Sequence, residues 1–188
     1  MFLCLHRVVS TLRHPFFTEP GEIIMLSNKE VSQLVESIWS ATVDLTVDSV
    51  DSFEMVPNQD RLTGCVHITG GWNGALTLDC SATLAREASA RLFEIAPSEA
   101  SMEDIHDTLC EITNMTGGNL KALLSQGSEG ALQLSLPSVT EGKSYRLALP
   151  GTRKVFEAFF EVGGEPMVVT LFVADPSGSS RQTASSRR

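Results

Sequence analysis

The stretch Asp104–Leu124, DIHDTLCEITNMTGGNLKALL, decides how the rest of the chain is read. On a wheel of 3.6 residues per turn, Ile105, Leu109, Ile112, Thr116, Leu120 and Leu123 fall on one side. That stripe predicts one long amphipathic helix. Glu111 and Asn114 fall roughly opposite. Residues three apart are neighbours on a helix surface, so the Glu111 carboxylate and the Asn114 amide stand side by side and point outward, with Asp107 and Lys121 extending the same face. Gly117 and Gly118 oppose helix formation, each costing about 1 kcal/mol relative to alanine. Two in succession imply close approach by something.

Upstream, Ser101 followed three residues later by Asp104 is a capping-box spacing with Asp in place of the usual Glu or Gln. Before it, Ser81 opens a helix over Ala82–Phe93, packed by Leu84, Ala85, Ala88 and Leu92 and stopped by Pro97. Before that, Leu62–Thr69 and Gly74–Cys80, joined through Gly70, Gly71, Trp72 and Asn73, read as a β-hairpin. Alternation places Cys65, His67 and Thr69 on one face and Val66 and Ile68 on the other, so His67 reads as an ordinary sheet residue. A first helix starts at Ser27 or Asn28, with Glu30 in its first turn and Val31, Leu34, Val35, Ile38 and Trp39 at helical spacing, and ends near Thr42. Leu45–Val56 follows as short alternating pieces.

Downstream, Ala131–Leu136, Tyr145–Leu149, Lys154–Val162 and Met167–Val173 read as antiparallel strands, with a glycine turn at Gly142 and a second turn over Gly163–Pro166. The order helix, strands, helix, long helix, strands is an α+β pattern. It predicts a mostly antiparallel sheet with long helices packed on it, and two halves that faintly repeat.

A length of 188 residues with 42% hydrophobic residues suits one domain, expected over residues 25–174. Residues 1–24 read as an N-terminal extension, with Met25 an alternative start, and 175–188 as a disordered C-terminal tail rich in Ser, Gly and Arg. Arg7 interrupts the short apolar start, which argues against a signal peptide, and no run reaches transmembrane length. A formal net charge of -9 and a pI near 4.9 leave no basic footprint for nucleic acid or an anionic membrane. A protein partner or a small ligand is expected instead. Cys4, Cys65, Cys80 and Cys110 lack CxxC spacing, and His6, His14, His67 and His106 form no paired motif, so neither a disulfide framework nor a metal site is indicated.

An asparagine amide offers one acceptor and two donor hydrogens, so it can hold a water in fixed orientation without acting as a strong base. Phosphoryl transfer is the reaction that profits most, because its catalysis is largely alignment and charge stabilisation. The plain alternative is a solvated helix face with no chemistry.

The run Glu111, Ile112, Thr113, Asn114, followed by Gly118 and Asn119, resembles the ExxN signature of the CheC, CheX and FliY chemotaxis phosphatases, and in particular the ExxNxxxGN helix of the CheX branch. The resemblance extends to the Gly64–Leu78 hairpin with the helix after it, and to Leu134–Val139 with Gly142, covering roughly residues 27–174. It implies a CheC-like fold and a cytoplasmic phosphatase acting on the phosphoaspartate of a CheY-like receiver domain. In that setting Asn114 orients the attacking water, and Glu111 pairs with the receiver's active-site lysine. Asp107, Gly117, Gly118 and Lys121 contact the partner. The resemblance also implies Mg²⁺ supplied by the receiver, no cofactor of the chain's own, and a homodimer joined through its sheets. Glu87 is followed at ExxN spacing by Ala90, and Glu36 by Trp39, so neither other helix supplies a second amide. The competing reading within the same fold is a noncatalytic module that docks on a receiver or on flagellar-switch components.

Overall fold

The computed structural model describes residues 13–17, 23–53, 58–125, 130–143 and 145–175. Most of the expected extension and the whole of the expected tail after Asp175 lie outside these residues. Strands β1 (Arg13–Phe17) and β2 (Ile23–Ser27) form an antiparallel pair leading into helix α1 (Asn28–Val43). Strands β3 (Val47–Val50), β4 (Asp60–Gly70) and β5 (Gly74–Ser81) precede helices α2 (Ala82–Leu92) and α3 (Met102–Ser125). Strands β6 (Leu132–Leu134), β7 (Ser138–Lys143), β8 (Thr152–Val162) and β9 (Glu165–Ala174) complete the chain. The main sheet has seven strands in the order β3-β8-β9-β5-β4-β6, with β7 also on β4, and every pairing is antiparallel. The α+β expectation holds.

Local chemistry sets each helix start. Ser27 caps α1 in a capping box with Glu30, whose carboxylate accepts from the Ser27 backbone N–H at 2.9 Å. Ser81 accepts from the Leu84 N–H at 3.0 Å. Ser101 and Asp104 bond reciprocally, Ser101 N to Asp104 Oδ2 at 2.9 Å and Asp104 N to Ser101 Oγ at 3.1 Å, so Asp serves where Glu is usual. The Ser101 side-chain and backbone donors lower the pKa of the Asp104 carboxyl. Its contribution to stability is therefore present above the unfolded carboxylate pKa and fades as pH falls through the lowered folded value.

One sheet face carries the core. Leu62, Val66 and Ile68 of β4 alternate inward with Leu76, Leu78 and Cys80 of β5 and Val169, Leu171 and Val173 of β9, all buried. Ile105, Leu109, Ile112 and Leu120 of α3 are buried in the same core. Leu124, rather than Leu123, completes the stripe: Leu124 is fully buried and Leu123 only partly.

Glycine sets how closely α3 approaches the sheet. A methyl group at Gly64 of β4 would lie 2.0 Å from Thr113 Oγ1, and one at Gly117 of α3 would lie 2.6 Å from Val66 Cγ1. The strand thus lacks a side chain where the helix has one, and the helix lacks one where the strand has one.

Three expectations need correction. Tyr145–Leu149 is not a strand. Tyr145, Leu147 and Leu149 are half-buried while Arg146 and Ala148 are exposed. The Tyr145 hydroxyl bonds Thr63 Oγ1 on the sheet face away from the core, so the segment's alternation records a chain laid against a face rather than laddered into the sheet. Gly142 is not a turn; it pairs with Arg61 inside β7. The turn before β9 is narrower than expected: Gly163 and Gly164, at φ 60° and 84°, make a two-residue loop, and Glu165 and Pro166 already pair with Val162 and Glu161. The β1–β2 pair is an addition that Pro15 had obscured. Hairpins β4–β5 and β8–β9 meet through their second strands, but β3 flanks one and β6 with β7 the other, so the topology does not establish the expected repeat.

The interlock has a thermodynamic signature. Gly64→Ala is expected to lower stability by about 1–3 kcal/mol through overpacking. In a Thr113→Ala background the same change should cost at least about 1 kcal/mol less, because the group it strikes is gone. Urea denaturation of the four variants measures the coupling, and strict additivity would refute direct contact.

Candidate functional site

Helix α3 places its polar residues by period. Glu111 and Asp107 are exposed, Asn114, Gly118 and Lys121 are half-buried, and Gly117 is buried. The helix axis between Asp104 and Leu124 is held on the sheet side by the residues that flank Asn114 in sequence. Thr113, the preceding residue, rests on Gly64, and Gly117, three residues on, rests on Val66. Asn114 is therefore carried on the most tightly seated part of the helix, with its side chain on the outward flank. Among the described residues neither the Glu111 carboxylate nor the Asn114 amide has a hydrogen-bond or ion-pair partner within the chain. Both keep their full capacity for something outside it.

The surrounding threonines show why this is informative. Thr108 and Thr116 return their hydroxyls to the helix, to Asp104 O and Ile112 O, each at 2.7 Å. Asn119 likewise turns its amide back to Met115 O at 2.9 Å. Asn114, four residues after Cys110, makes no such local bond. Farther along, His106 Nε2 lies 2.8 Å from Glu141 Oε2 of β7, tying the first half of α3 to the sheet edge.

The two glycines have different reasons. Gly117 faces the sheet, so it serves α3's own packing and does not belong to the outward contact surface expected for it. Gly118 meets only Leu134 Cδ1, at 3.9 Å, if given a methyl. Among the described residues nothing requires glycine there.

Cys110, which sequence reading left without a role, stands one turn before Asn114. Burial, with the Asp107 charge adding to it, pushes its thiol pKa up. It is held as the neutral thiol, the form that is not nucleophilic. Cys80, wholly buried, is pushed up to about 12 and lies on the core face. Among the described residues no group of three or more His, Cys, Asp or Glu could hold a metal ion. His67 is exposed on the opposite sheet face from α3, next to a shallow cavity lined by Thr69, Asn73, Leu149 and Thr152. The structure does not bring it near Asn114. No helix among the described residues is long and apolar enough to cross a membrane.

The family model described as chemotaxis phosphatase CheX matches residues 62–161, from β4 through β8 and across the whole of α3. The chain belongs to the CheX family. No curated protein matches it. Among solved structures, CheX of Desulfovibrio desulfuricans is similar at TM-score 0.62 and 18% identity, over 78% of this chain and 97% of that one. CheX of Vibrio vulnificus is similar at TM-score 0.63 and 17% identity, over 77% and 95%. CheX of Borrelia burgdorferi, solved in complex with CheY, BeF3 and Mg²⁺, is similar at TM-score 0.58 and 13% identity, over 78% and 96%. At these identities the likeness is one of fold, and it spans nearly all of each CheX chain.

The contrast between the glycines is measurable. Gly117→Ala is expected to destabilise this CheX domain by about 1–3 kcal/mol, since the Val66 methyl must give way. Gly118→Ala should be neutral or stabilising by up to about 1 kcal/mol from helix propensity. Equal losses at both positions, read by thermal or urea unfolding, would contradict the assignment.

Proposed function

We propose that this CheX domain is a phosphatase of the phosphoaspartate in a CheY-type receiver domain, ending a chemotaxis or other two-component signal in the cytoplasm. The observation that carries the reading is the pair Glu111 and Asn114, adjacent on the outward face of a rigidly seated helix and unpartnered within the chain. The fold's likeness to a CheX solved with CheY, BeF3 and Mg²⁺ supports a receiver as the partner.

The chemistry needs little from this chain. Asn114 accepts from and donates to the water that attacks phosphorus, fixing its line of approach. The water oxygen forms the new P–O bond, and the aspartyl oxygen leaves with its electron pair as the restored carboxylate. The water's protons pass to the inorganic phosphate and solvent, and Asn114 neither gains nor loses one. Glu111 pairs with the receiver's active-site lysine, which aligns the two proteins so that the amide reaches the phosphoryl group. Mg²⁺, held by the receiver, neutralises charge on the phosphoryl oxygens. Asp107, Gly118 and Lys121 border this contact. A homodimer, which the family resemblance implies, would form through the sheet, whose outermost strands among the described residues are β3 on one side and β6 with β7 on the other.

Decay of phosphorylated receiver with Mg²⁺ present tests the reading. Wild type is expected to accelerate decay, Asn114→Ala to lose about a hundredfold or more of that acceleration while still binding, and Glu111→Ala to lose binding as well. If wild type accelerates decay no more than Asn114→Ala does, across every receiver of the same genome, the enzymatic reading fails. Binding without acceleration would establish the noncatalytic module instead.

A further inference from the structure

We propose that Leu136 is a docking residue of the same site, an apolar contact that seats the receiver beside Asn114 and governs its affinity. The inference rests on the receiver reading above and adds a residue to it. Three large hydrophobic residues are exposed among the described residues: Phe93 at 45%, Met102 at 44% and Leu136 at 90%. Phe93 and Met102 sit at the end of α2 and the start of α3, on either side of their connection. Leu136 stands apart from them, in the connection between β6 and β7.

Its position follows from register. Leu134 pairs with Ile68 and Ser138 with Cys65, so Leu136 lies opposite Val66 and His67 on the edge of β4. Val66 is the residue on which Gly117 rests, and Leu134 is the side chain that flanks both Gly117 and Gly118. Leu136 therefore stands level with Gly117, within about one helical turn of Asn114 along the axis of α3. The backbone that carries it is fixed rather than loose. Ser135 N donates to His67 O at 2.9 Å, His67 N donates to Ser135 Oγ at 3.0 Å, and Ser135 Oγ donates to Leu136 O at 2.8 Å. Pro137 restricts the Leu136 backbone to extended conformations.

Single exposed apolar side chains are ordinary on protein surfaces, and Phe93 is one. Leu136 differs in being almost wholly exposed, in following Ser135 whose backbone and hydroxyl are bonded to His67, and in standing two residues beyond the Leu134 that flanks Gly117 and Gly118. A rigid apolar anchor beside polar groups that fix orientation is how compact interfaces concentrate their affinity. The occupant is the receiver of the reading above, which the likeness to a CheX solved in complex with CheY supports. Polar groups of α3 set the geometry, and Leu136 supplies desolvation.

The test is titration of wild type, Leu136→Ser, Leu136→Gln and Phe93→Ser with a CheY-type receiver of the same genome, activated by beryllofluoride and Mg²⁺. Both Leu136 variants should raise Kd about tenfold, in line with burial of one leucine. They should raise KM for the phosphorylated receiver similarly and leave kcat within about twofold. Phe93→Ser should change neither, and all variants should unfold at the wild-type midpoint. Wild-type affinity in the Leu136 variants overturns the proposal, and the phosphatase reading survives if Asn114→Ala still abolishes turnover. Binding that weakens in the Leu136 variants without any turnover by wild type keeps the docking role and overturns catalysis. Failure of wild type to bind any such receiver overturns both.

Discussion

The seating of α3 on β4 is the constraint on which the rest of the structure depends. Two contacts one helical turn apart, Thr113 on Gly64 and Val66 on Gly117, are each too close to admit a further methyl group. Interiors pack at crystal-like density, so such contacts fix the height and rotation of a helix rather than merely attracting it. Asn114 lies between them in sequence and on the opposite flank. Its position outside is set by what cannot fit inside. The arrangement also tolerates a cost: among the described residues Thr113 Oγ1 is buried without a partner, a loss of about 1–3 kcal/mol that the close approach of the helix must outweigh.

That rigidity matters because of what the helix offers. An amide that orients water contributes through placement and not through proton affinity, so it is useful only if held within a fraction of an ångström of its working position. Cys110, one turn before it on α3, is held protonated by burial. What the helix presents on its outward side is one amide and one carboxylate, carried on its most tightly seated part.

Much of this was legible in the sequence, for identifiable reasons. The periodicity of α3 is long enough to override two glycines, and the Ser101–Asp104 spacing marked its start to within a residue. The β4–β5 hairpin declared itself through alternation and its glycine-rich turn. Belonging to the CheX family was readable from Glu111, Asn114, Gly118 and their flanks, and the match over residues 62–161 bears it out. Tyr145–Leu149 misled because a chain lying across a sheet alternates in burial as a strand does. Gly117 could not be told from Gly118, since the difference is which side of α3 meets Val66, and that depends on the tertiary rotation of the helix. Leu136 looked like the end of a core strand. Only the short β6 and the bulging link before β7 reveal that it faces water.

A helix seated this tightly would meet the proposed receiver as a preformed surface, with Asn114 aimed at the reacting phosphorus. The structure of this CheX domain bound to a beryllofluoride-activated receiver measures this most directly. The Asn114 amide is expected within about 3–4 Å of a water standing opposite the aspartyl O–Be bond. Thr113 and Gly117 are expected still seated on Gly64 and Val66. A complex in which the receiver docks elsewhere, or in which α3 must lift from β4 to bring Asn114 to the phosphoryl mimic, would contradict this.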